Sequence, residues 1–175
     1  MSILPRAALV IAALALAGCS GNDRFRNGSA TDLNAASAGA AGAIVPGSAS
    51  DPASPAYFQQ SVGDRVLFMV DQSTLTDEGR MTLNGQAQWL MTNADYAATI
   101  EGHADEQGTR EYNLALGARR ANTVREYLIS QGVSSARLKT VSYGKERPIE
   151  ICSEEACYAK NRRAVTVIAA GGLTS

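Results

Sequence analysis

Residues 100–133 read IEGHADEQGTREYNLALGARRANTVREYLISQGV, and this stretch contains the change from a strand to a long helix. Ala98 and Ile100 alternate with polar neighbours, the pattern of a strand with one buried face. Thr109 is a good N-cap for a helix that begins at residue 110, and Gly132 ends that helix. The stretch predicts a strand, a loop and a helix, and the loop carries the only histidine of the chain beside two carboxylates.

Further elements lie on both sides of this unit. Val66, Phe68 and Val70 recur at every second position and predict a strand that ends at Asp71. Thr76 is placed to cap an earlier helix, whose apolar residues recur at helical spacing: Leu83, Ala87, Leu90 and Met91. Two more strands are predicted over residues 138–143 and 164–169. The order β-α-β-α-β-β predicts an α/β protein, an α+β sandwich of two layers in which two main helices cover one face of a small mixed sheet.

The long helix presents two predicted faces. One is expected to face the sheet and consists of Leu114, Ala118, Ala121, Val124 and Leu128. The other consists of Asn113, Leu116 and Arg120, which are spaced three and four residues apart and predict a small mixed surface. Gly102 is expected to leave room at the end of its strand, and Gly108 to permit a positive φ before the helix.

Two aspartates mark one edge of the predicted sheet. Asp71 and Asp105 both follow the C-terminal end of a strand, and ligands usually bind at that edge of an α/β sheet. A crossover helix that sets the two strands parallel brings both aspartates to the same edge. Together with an arginine, such a cleft would recognise a ligand that carries both an ammonium and a carboxylate.

The composition argues against several classes of protein. A net charge of −1 gives no electrostatic attraction for nucleic acid. The single histidine has no serine or cysteine at motif spacing near it, so the chain lacks the activated nucleophile of a hydrolase. A zinc site would need further ligands beside this histidine. Asp105 and Glu106 are adjacent and would point apart, unlike the paired acids of a glycosidase. We expect a binding protein without a catalytic residue, cofactor or metal.

The N-terminal part of the chain predicts export. Arg6 precedes an apolar run, residues 7–17, that is too short to span a bilayer and matches a secretory signal, so residues 1–18 are assigned as a signal peptide. The sequence LAGC that ends at Cys19 resembles the bacterial lipobox, which implies lipidation of Cys19; a plain signal peptide is the alternative. Residues 19–60, rich in Ala, Gly, Ser and Pro, predict a disordered tether, with an alanine-rich helix as the alternative. The folded domain is expected over residues 61–175.

Cysteine content agrees with export. If Cys19 is lipidated, Cys152 and Cys157 remain as an even pair in an oxidising compartment, and a disulfide between them is predicted. A metal pair and two free thiols are the alternatives.

The motifs from Ile100 through Val167 are long and specific: GHAD, YNLALG, LGARRA, YGKERP and NRRAVTV. They resemble the OmpA-like peptidoglycan-binding domain. The resemblance implies non-covalent binding of peptidoglycan at the meso-diaminopimelate residue of the stem peptide. By motif position, Asp105 would take the ammonium and Arg120 the carboxylate. Other matching positions would line or border the same pocket: Asp71, Asn113, Leu116 and Arg162.

One position departs from the family pattern, and each matched residue has a structural alternative. Val70 stands where an aromatic residue is common, so a stacking wall beside Asp71 is in doubt. Asp105 could cap the following turn, Arg120 could form a surface ion pair, and Asp71 could be a turn residue. His103 is expected to be a hydrogen-bonding structural residue that shares the face of Glu101.

The resemblance also implies partners and a location. With the lipobox it indicates a lipoprotein of the outer membrane whose domain lies in the periplasm. Its implied partners are peptidoglycan, the outer membrane through the lipid anchor, and TolB, the periplasmic β-propeller protein of the Tol complex. A TolB surface is expected to overlap the pocket rim and the sequence YGKERP, residues 143–148. The alternative is an OmpA-like envelope lipoprotein without TolB as partner.

Overall fold

A computed structural model of the protein describes residues 44–151 and 153–170, which belong to one compact unit. The elements follow one another as α1 (Pro55–Tyr57) with a π-helical turn (Phe58–Gly63), β1 (Arg65–Leu67), α2 (Asp77–Thr92), β2 (Tyr96–His103), α3 (Arg110–Ser130), a 3-10 turn (Ser135–Arg137), β3 (Leu138–Gly144), α4 (Glu155–Asn161) and β4 (Arg163–Ala170). The predicted α+β fold is confirmed, and the structure adds the short helices α1 and α4.

The sheet has the strand order β1-β4-β2-β3. The periodicity of the sequence could not predict this order. β2 and β3 are parallel, joined by the crossover helix α3, whereas β4 is antiparallel to both β1 and β2. β1 and β2 therefore run in the same direction on either side of β4. The C-terminal ends of β1, β2 and β3 and the first residue of β4 consequently meet at one edge of the sheet.

Both main helices begin at the predicted caps. The Thr76 side chain accepts a hydrogen bond from the Gly79 backbone N at 3.1 Å, and Thr109 accepts one from the Tyr112 backbone N at 3.2 Å. Each bond satisfies a donor that would be left without a partner in the first turn. The helices bury a shared apolar core against the sheet, with fully buried members on each layer: Leu83, Leu90, Ile100 and Leu128.

Two glycines set how closely α3 crosses β2. A Cβ atom on Gly102 would lie 1.8 Å from the Gly117 carbonyl oxygen, and one on Gly117 would lie 2.4 Å from the Ser142 hydroxyl. No side chain fits at either position, so the backbones touch. This contact brings the first half of α3 down onto the end of β2, where the predicted site residues lie.

The predicted inward face of α3 is confirmed at Ala121, Val124 and Leu128, which are buried, but the close contact changes the predicted faces in the first half of the helix. Asn113, Leu116 and Arg120 are buried, whereas Leu114 is 45% exposed. The polar side chains are tolerated inside because backbone carbonyls of the edge loops accept their hydrogen bonds. Two other inward predictions are wrong for a simpler reason, because Val70 lies in the loop after β1 and Met91 lies on the exposed side of α2.

The folded unit begins before residue 61, the boundary that composition suggested. Phe58 is fully buried in the core, and the Trp89 indole N–H donates to the Pro52 carbonyl at 2.8 Å. Ser54 caps α1 through the Tyr57 backbone N. A few aromatic and capping residues within an Ala-, Ser- and Pro-rich stretch are enough to fix it to the domain. The predicted signal peptide, Cys19 and the predicted tether up to residue 43 lie outside the described residues.

The described part of the chain contains no helix that is long and apolar enough to cross a membrane. Cys157, on α4, is disulfide-bonded. Its expected partner Cys152 lies outside the described residues, so the pairing stays a prediction.

Candidate functional site

The sheet edge gathers charged residues from four separate parts of the chain. Asp71 lies in the loop after β1, Asp105 follows β2, and Arg162 comes directly before β4. Arg120 reaches the same edge from the middle of α3, where Asp71, Asp105 and Arg162 all affect its pKa. These predicted site residues are therefore brought together.

Asp105 is buried, and its carboxylate accepts fewer hydrogen bonds than it has room for. Its Oδ2 accepts a hydrogen bond from Arg162 Nη1 at 3.2 Å, and its Oδ1 accepts a long bond from the Gln107 backbone N at 3.3 Å. A carboxylate has room for more donors than these two. Asp105 is thus a buried anion that retains capacity for a ligand cation.

Arg162 links Asp105 to a second carboxylate. Its Nη2 donates to Glu155 Oε1, its Nη1 lies 3.4 Å from Glu155 Oε2, and its Nε donates to the Phe68 carbonyl. Burial alone would lower the Arg162 pKa, but the hydrogen bonds to Glu155 and Asp105 raise it. Glu155 was not among the predicted residues, because it lies on α4, a helix that the sequence did not predict.

Arg120 is fully buried and has no carboxylate partner among the described residues. Its guanidinium donates to three backbone carbonyls, from Nε to Gln72 (2.8 Å), from Nη1 to His103 (2.7 Å) and from Nη2 to Met69 (3.2 Å). It also lies over the Phe68 ring, 5.2 Å from the centroid. Burial lowers the Arg120 pKa to about 10, against the opposing charge of Asp105, so the group stays charged at neutral pH.

Asp71 occupies the exposed side of the site. Its φ is 56°, in the left-handed region that aspartate tolerates better than most residues. The Tyr112 hydroxyl donates a hydrogen bond to Asp71 Oδ1, and this bond raises the Tyr112 pKa. Sequence reasoning missed Tyr112, since nothing in its spacing on α3 separates it from an ordinary exposed residue.

The loop that carries Asp105 is held by side chains from three elements. Asn113 Nδ2 donates to the Gln107 carbonyl at 2.7 Å, and Lys145 Nζ donates to the Gly108 carbonyl at 2.8 Å. From the α4 side, Asn161 Nδ2 donates to Glu106 Oε1 at 2.9 Å. In this structure Asn113 therefore supports the loop. The other predicted pocket residue of α3, Leu116, is buried beside Gly117.

The sequence of this domain resembles that of known proteins. A family model described as the OmpA family matches residues 67–162. The chain belongs to the OmpA family.

Several relatives that cover nearly the whole chain share one name. Proteins named peptidoglycan-associated lipoprotein are 49% identical in Agrobacterium fabrum, covering 99% of this chain and 94% of the relative, and 48% identical in Mesorhizobium japonicum, covering 93% and 90%. The crystal structure of the peptidoglycan-associated lipoprotein from Burkholderia pseudomallei is 39% identical, with a TM-score of 0.61, and it covers 68% of this chain and 97% of that one. Over nearly its whole length, this OmpA-family chain is therefore similar to proteins named peptidoglycan-associated lipoprotein.

The histidine of the OmpA-family GHAD motif does not have the predicted hydrogen bonds. His103 shares the face of Glu101, as expected, but neither ring nitrogen has a hydrogen-bond partner in the described part of the chain. The ring packs against Tyr143 with centroids 5.5 Å apart. Burial, together with Arg163 and Arg147, lowers the His103 pKa to about 4, so the imidazole is neutral at neutral pH. The contribution of His103 to the site is its backbone carbonyl, which binds Arg120.

The chemistry that this OmpA-family site supports is recognition of a charged group. Acidic and basic side chains meet at one sheet edge, and several of them are buried, which strengthens electrostatic contacts with a bound ligand. Within residues 44–151 and 153–170, no group of His, Cys, Asp and Glu side chains is assembled that could hold a metal ion.

Proposed function

We propose that this OmpA-family lipoprotein binds peptidoglycan non-covalently and ties the outer membrane to the cell wall. The observation that carries the proposal is the gathering of Asp71, Asp105, Arg120 and Arg162 at one edge of the sheet. The name that the relatives share supports the same class of ligand. The proposal contains no catalytic step, because binding alone accounts for the function.

The proposed ligand group is the meso-diaminopimelate residue of the stem peptide, whose side chain ends in both an amine and a carboxylate. Asp105 accepts the ammonium at its incompletely bonded oxygens. Arg120 uses one donor from each nitrogen on a carbonyl, which leaves an N–H on Nη1 and one on Nη2 for a carboxylate. A planar guanidinium presents such a pair of donors in parallel.

The remaining predicted residues shape the site around these two contacts. Leu116 is buried next to Gly117 and packs beneath the site, and Asn113 keeps the Asp105 loop in place. Asp71 and Arg162 border the site on the sides of β1 and β4. One is acidic and the other basic, which suits a ligand group that carries both signs.

The proposed attachment to the membrane is a lipid on Cys19. Each buried methylene of an acyl chain contributes about 0.8 kcal/mol, so several chains on one residue give a stable anchor. The residue after Cys19 is Ser20 and not the aspartate that retains lipoproteins in the inner membrane. This favours the outer membrane as the location, with the domain in the periplasm. Many copies, each with a weak and reversible hold on the wall, would bind the envelope together by avidity.

We further propose TolB of the Tol complex as a protein partner, which would connect the chain to envelope constriction in cell division. Large apolar side chains are exposed on the two loops beside the site: Met69, Val70, Ile149 and Ile151. A group of exposed apolar side chains with polar residues beside it is typical of a protein interface. The alternative, an OmpA-like envelope lipoprotein without TolB, predicts that these side chains have no partner in the Tol complex.

Co-sedimentation with isolated cell-wall sacculi tests the wall contact. The full-length protein in detergent is expected to pellet with sacculi, and Asp105→Asn is expected to bind at least about tenfold more weakly, because a buried charge-assisted contact is lost. Asp95→Asn is the matched control, since Asp95 is exposed in the turn between α2 and β2. Circular dichroism would verify that both variants are folded. Equal binding by all three proteins would place the wall contact elsewhere.

Competition tests the TolB contact. If the two binding surfaces overlap, a saturating concentration of diaminopimelate stem peptide lowers the binding of TolB to the full-length protein. Unchanged TolB binding would show that the surfaces are separate, and no TolB binding at all would favour the alternative.

A further inference from the structure

Arg162 lies between two carboxylates and divides its donors unequally between them. Both terminal nitrogens of Arg162 reach Glu155, whereas only Nη1 reaches Asp105, at 3.2 Å. A two-nitrogen contact with a carboxylate is the stronger geometry for arginine. The Arg162 guanidinium is therefore bound more strongly by Glu155 than by Asp105.

The two carboxylates also differ in their surroundings. The Arg162 and Asp105 side chains are only 5% and 10% exposed, whereas the Glu155 side chain is 65% exposed. Solvent already stabilises the Glu155 charge, but Asp105 depends on nearby donors for compensation. Without Glu155, Arg162 would be free to turn both terminal nitrogens onto Asp105.

We propose that Glu155 keeps Asp105 available to a ligand ammonium by drawing Arg162 away from it. This inference rests on the proposed function, in which Asp105 binds the ammonium of diaminopimelate. In the absence of Glu155, the ligand ammonium must displace a two-nitrogen arginine contact before it reaches Asp105. Glu155 thereby sets the charge preference of the site without touching the ligand.

A crystal structure of Glu155→Gln without ligand tests the first step. We expect both terminal nitrogens of Arg162 to lie within hydrogen-bond distance of Asp105. If Arg162 keeps its single contact with Asp105, the inference is overturned whatever the ligand proves to be.

Calorimetry with the full-length protein in detergent tests the consequence. The probes are the stem tripeptide that ends in meso-diaminopimelate and the same tripeptide with its side-chain amine acetylated. Glu155→Gln is expected to bind the free amine about fivefold more weakly than the parent, and the acetylated peptide no more weakly than the parent. Equal weakening for both peptides would indicate a merely structural role and would contradict the inference.

Glu150→Gln is the matched control. Glu150 accepts a hydrogen bond from Lys160 at 3.0 Å, also between a carboxylate and a cation next to α4, but both side chains are exposed. The affinity of this variant for both peptides is expected to equal that of the parent. If the parent binds neither peptide, the proposed ligand fails, while the crystal structure still decides whether Glu155 holds Arg162 away from Asp105.

Discussion

The site contains two regions in which the buried charged groups have different partners and opposite pKa shifts. The inner region consists of Arg120 and His103, and burial lowers the pKa of Arg120 to about 10 and that of His103 to about 4. The outer region consists of Asp105, Glu155 and Arg162. There, hydrogen bonds between the carboxylates and Arg162 raise the pKa of Arg162 against its burial, and the hydrogen bond from Arg162 lowers the pKa of Glu155.

The difference comes from the partners. Arg120 is surrounded by backbone carbonyls, whose dipoles offset less of its desolvation than a full negative charge does. In return, its three bonds join the loop after β1 to the end of β2. Arg162 has carboxylate partners that can exchange with a ligand. The inner region is thus a scaffold that keeps the two remaining N–H groups of Arg120 for the ligand carboxylate, and the outer region is the adjustable part.

The largest effect is expected from removing the inner cation. Arg120→Met leaves the carbonyls of Met69, Gln72 and His103 without their donor and should lower the free energy of unfolding by about 4 kcal/mol. Urea denaturation measures this. Its neighbour Arg119 is exposed and lies over the Tyr112 ring, so Arg119→Met should change stability by less than about 0.5 kcal/mol. Similar losses for the two variants would erase the distinction between scaffold and surface.

An intermediate effect is expected from acid. The unfolded chain protonates His103 near pH 6.5, whereas the folded protein does so only near pH 4. The unfolded state therefore binds more protons between these values, and stability falls as the pH is lowered through this range, by about 3 kcal/mol from this group.

The acid effect can be assigned to His103 by substitution. Urea denaturation of the parent and of His103→Leu across the same pH range should give a shallower loss for the variant, because leucine binds no proton. Parallel curves for the two proteins would mean that His103 is not protonated on unfolding.

The smallest effect on stability is expected in the outer region. Glu155→Gln removes a carboxylate that is 65% exposed, so the midpoint of urea denaturation should not shift measurably, although ligand affinity falls. This separation of binding from stability is what distinguishes the two regions. A clear drop in the midpoint would show that Glu155 belongs to the scaffold as well.

Much of the fold could be predicted because the signals were local. The caps at Thr76 and Thr109 depend on a side chain and a backbone N–H within one helical turn. The alternation of Ala98 and Ile100 reflects the geometry of a single strand. These predictions were confirmed because they depend only on residues that are close to one another in the sequence.

Other predictions failed where distant segments meet. Leu114 is an apolar residue at helical spacing and yet is exposed, because the contact between Gly102 and Gly117 fixes the rotation of α3. Phe58 lies in a stretch whose composition suggested a tether, but the core accommodates its ring. His103 lacks the expected hydrogen bonds because the strands around it offer packing and cations instead.

The sequence by itself determined the main helices and strands of this protein, their order, the family and the motifs that identify Asp105, Arg120 and Arg162. Only the tertiary structure decided which of these charges share a partner. Arg120 and Arg162 are the same residue type at similar burial, and the sequence does not show which groups surround each of them. The packing does, because it places carbonyls around the first and carboxylates around the second, and the energy of a buried charge depends on the groups that surround it.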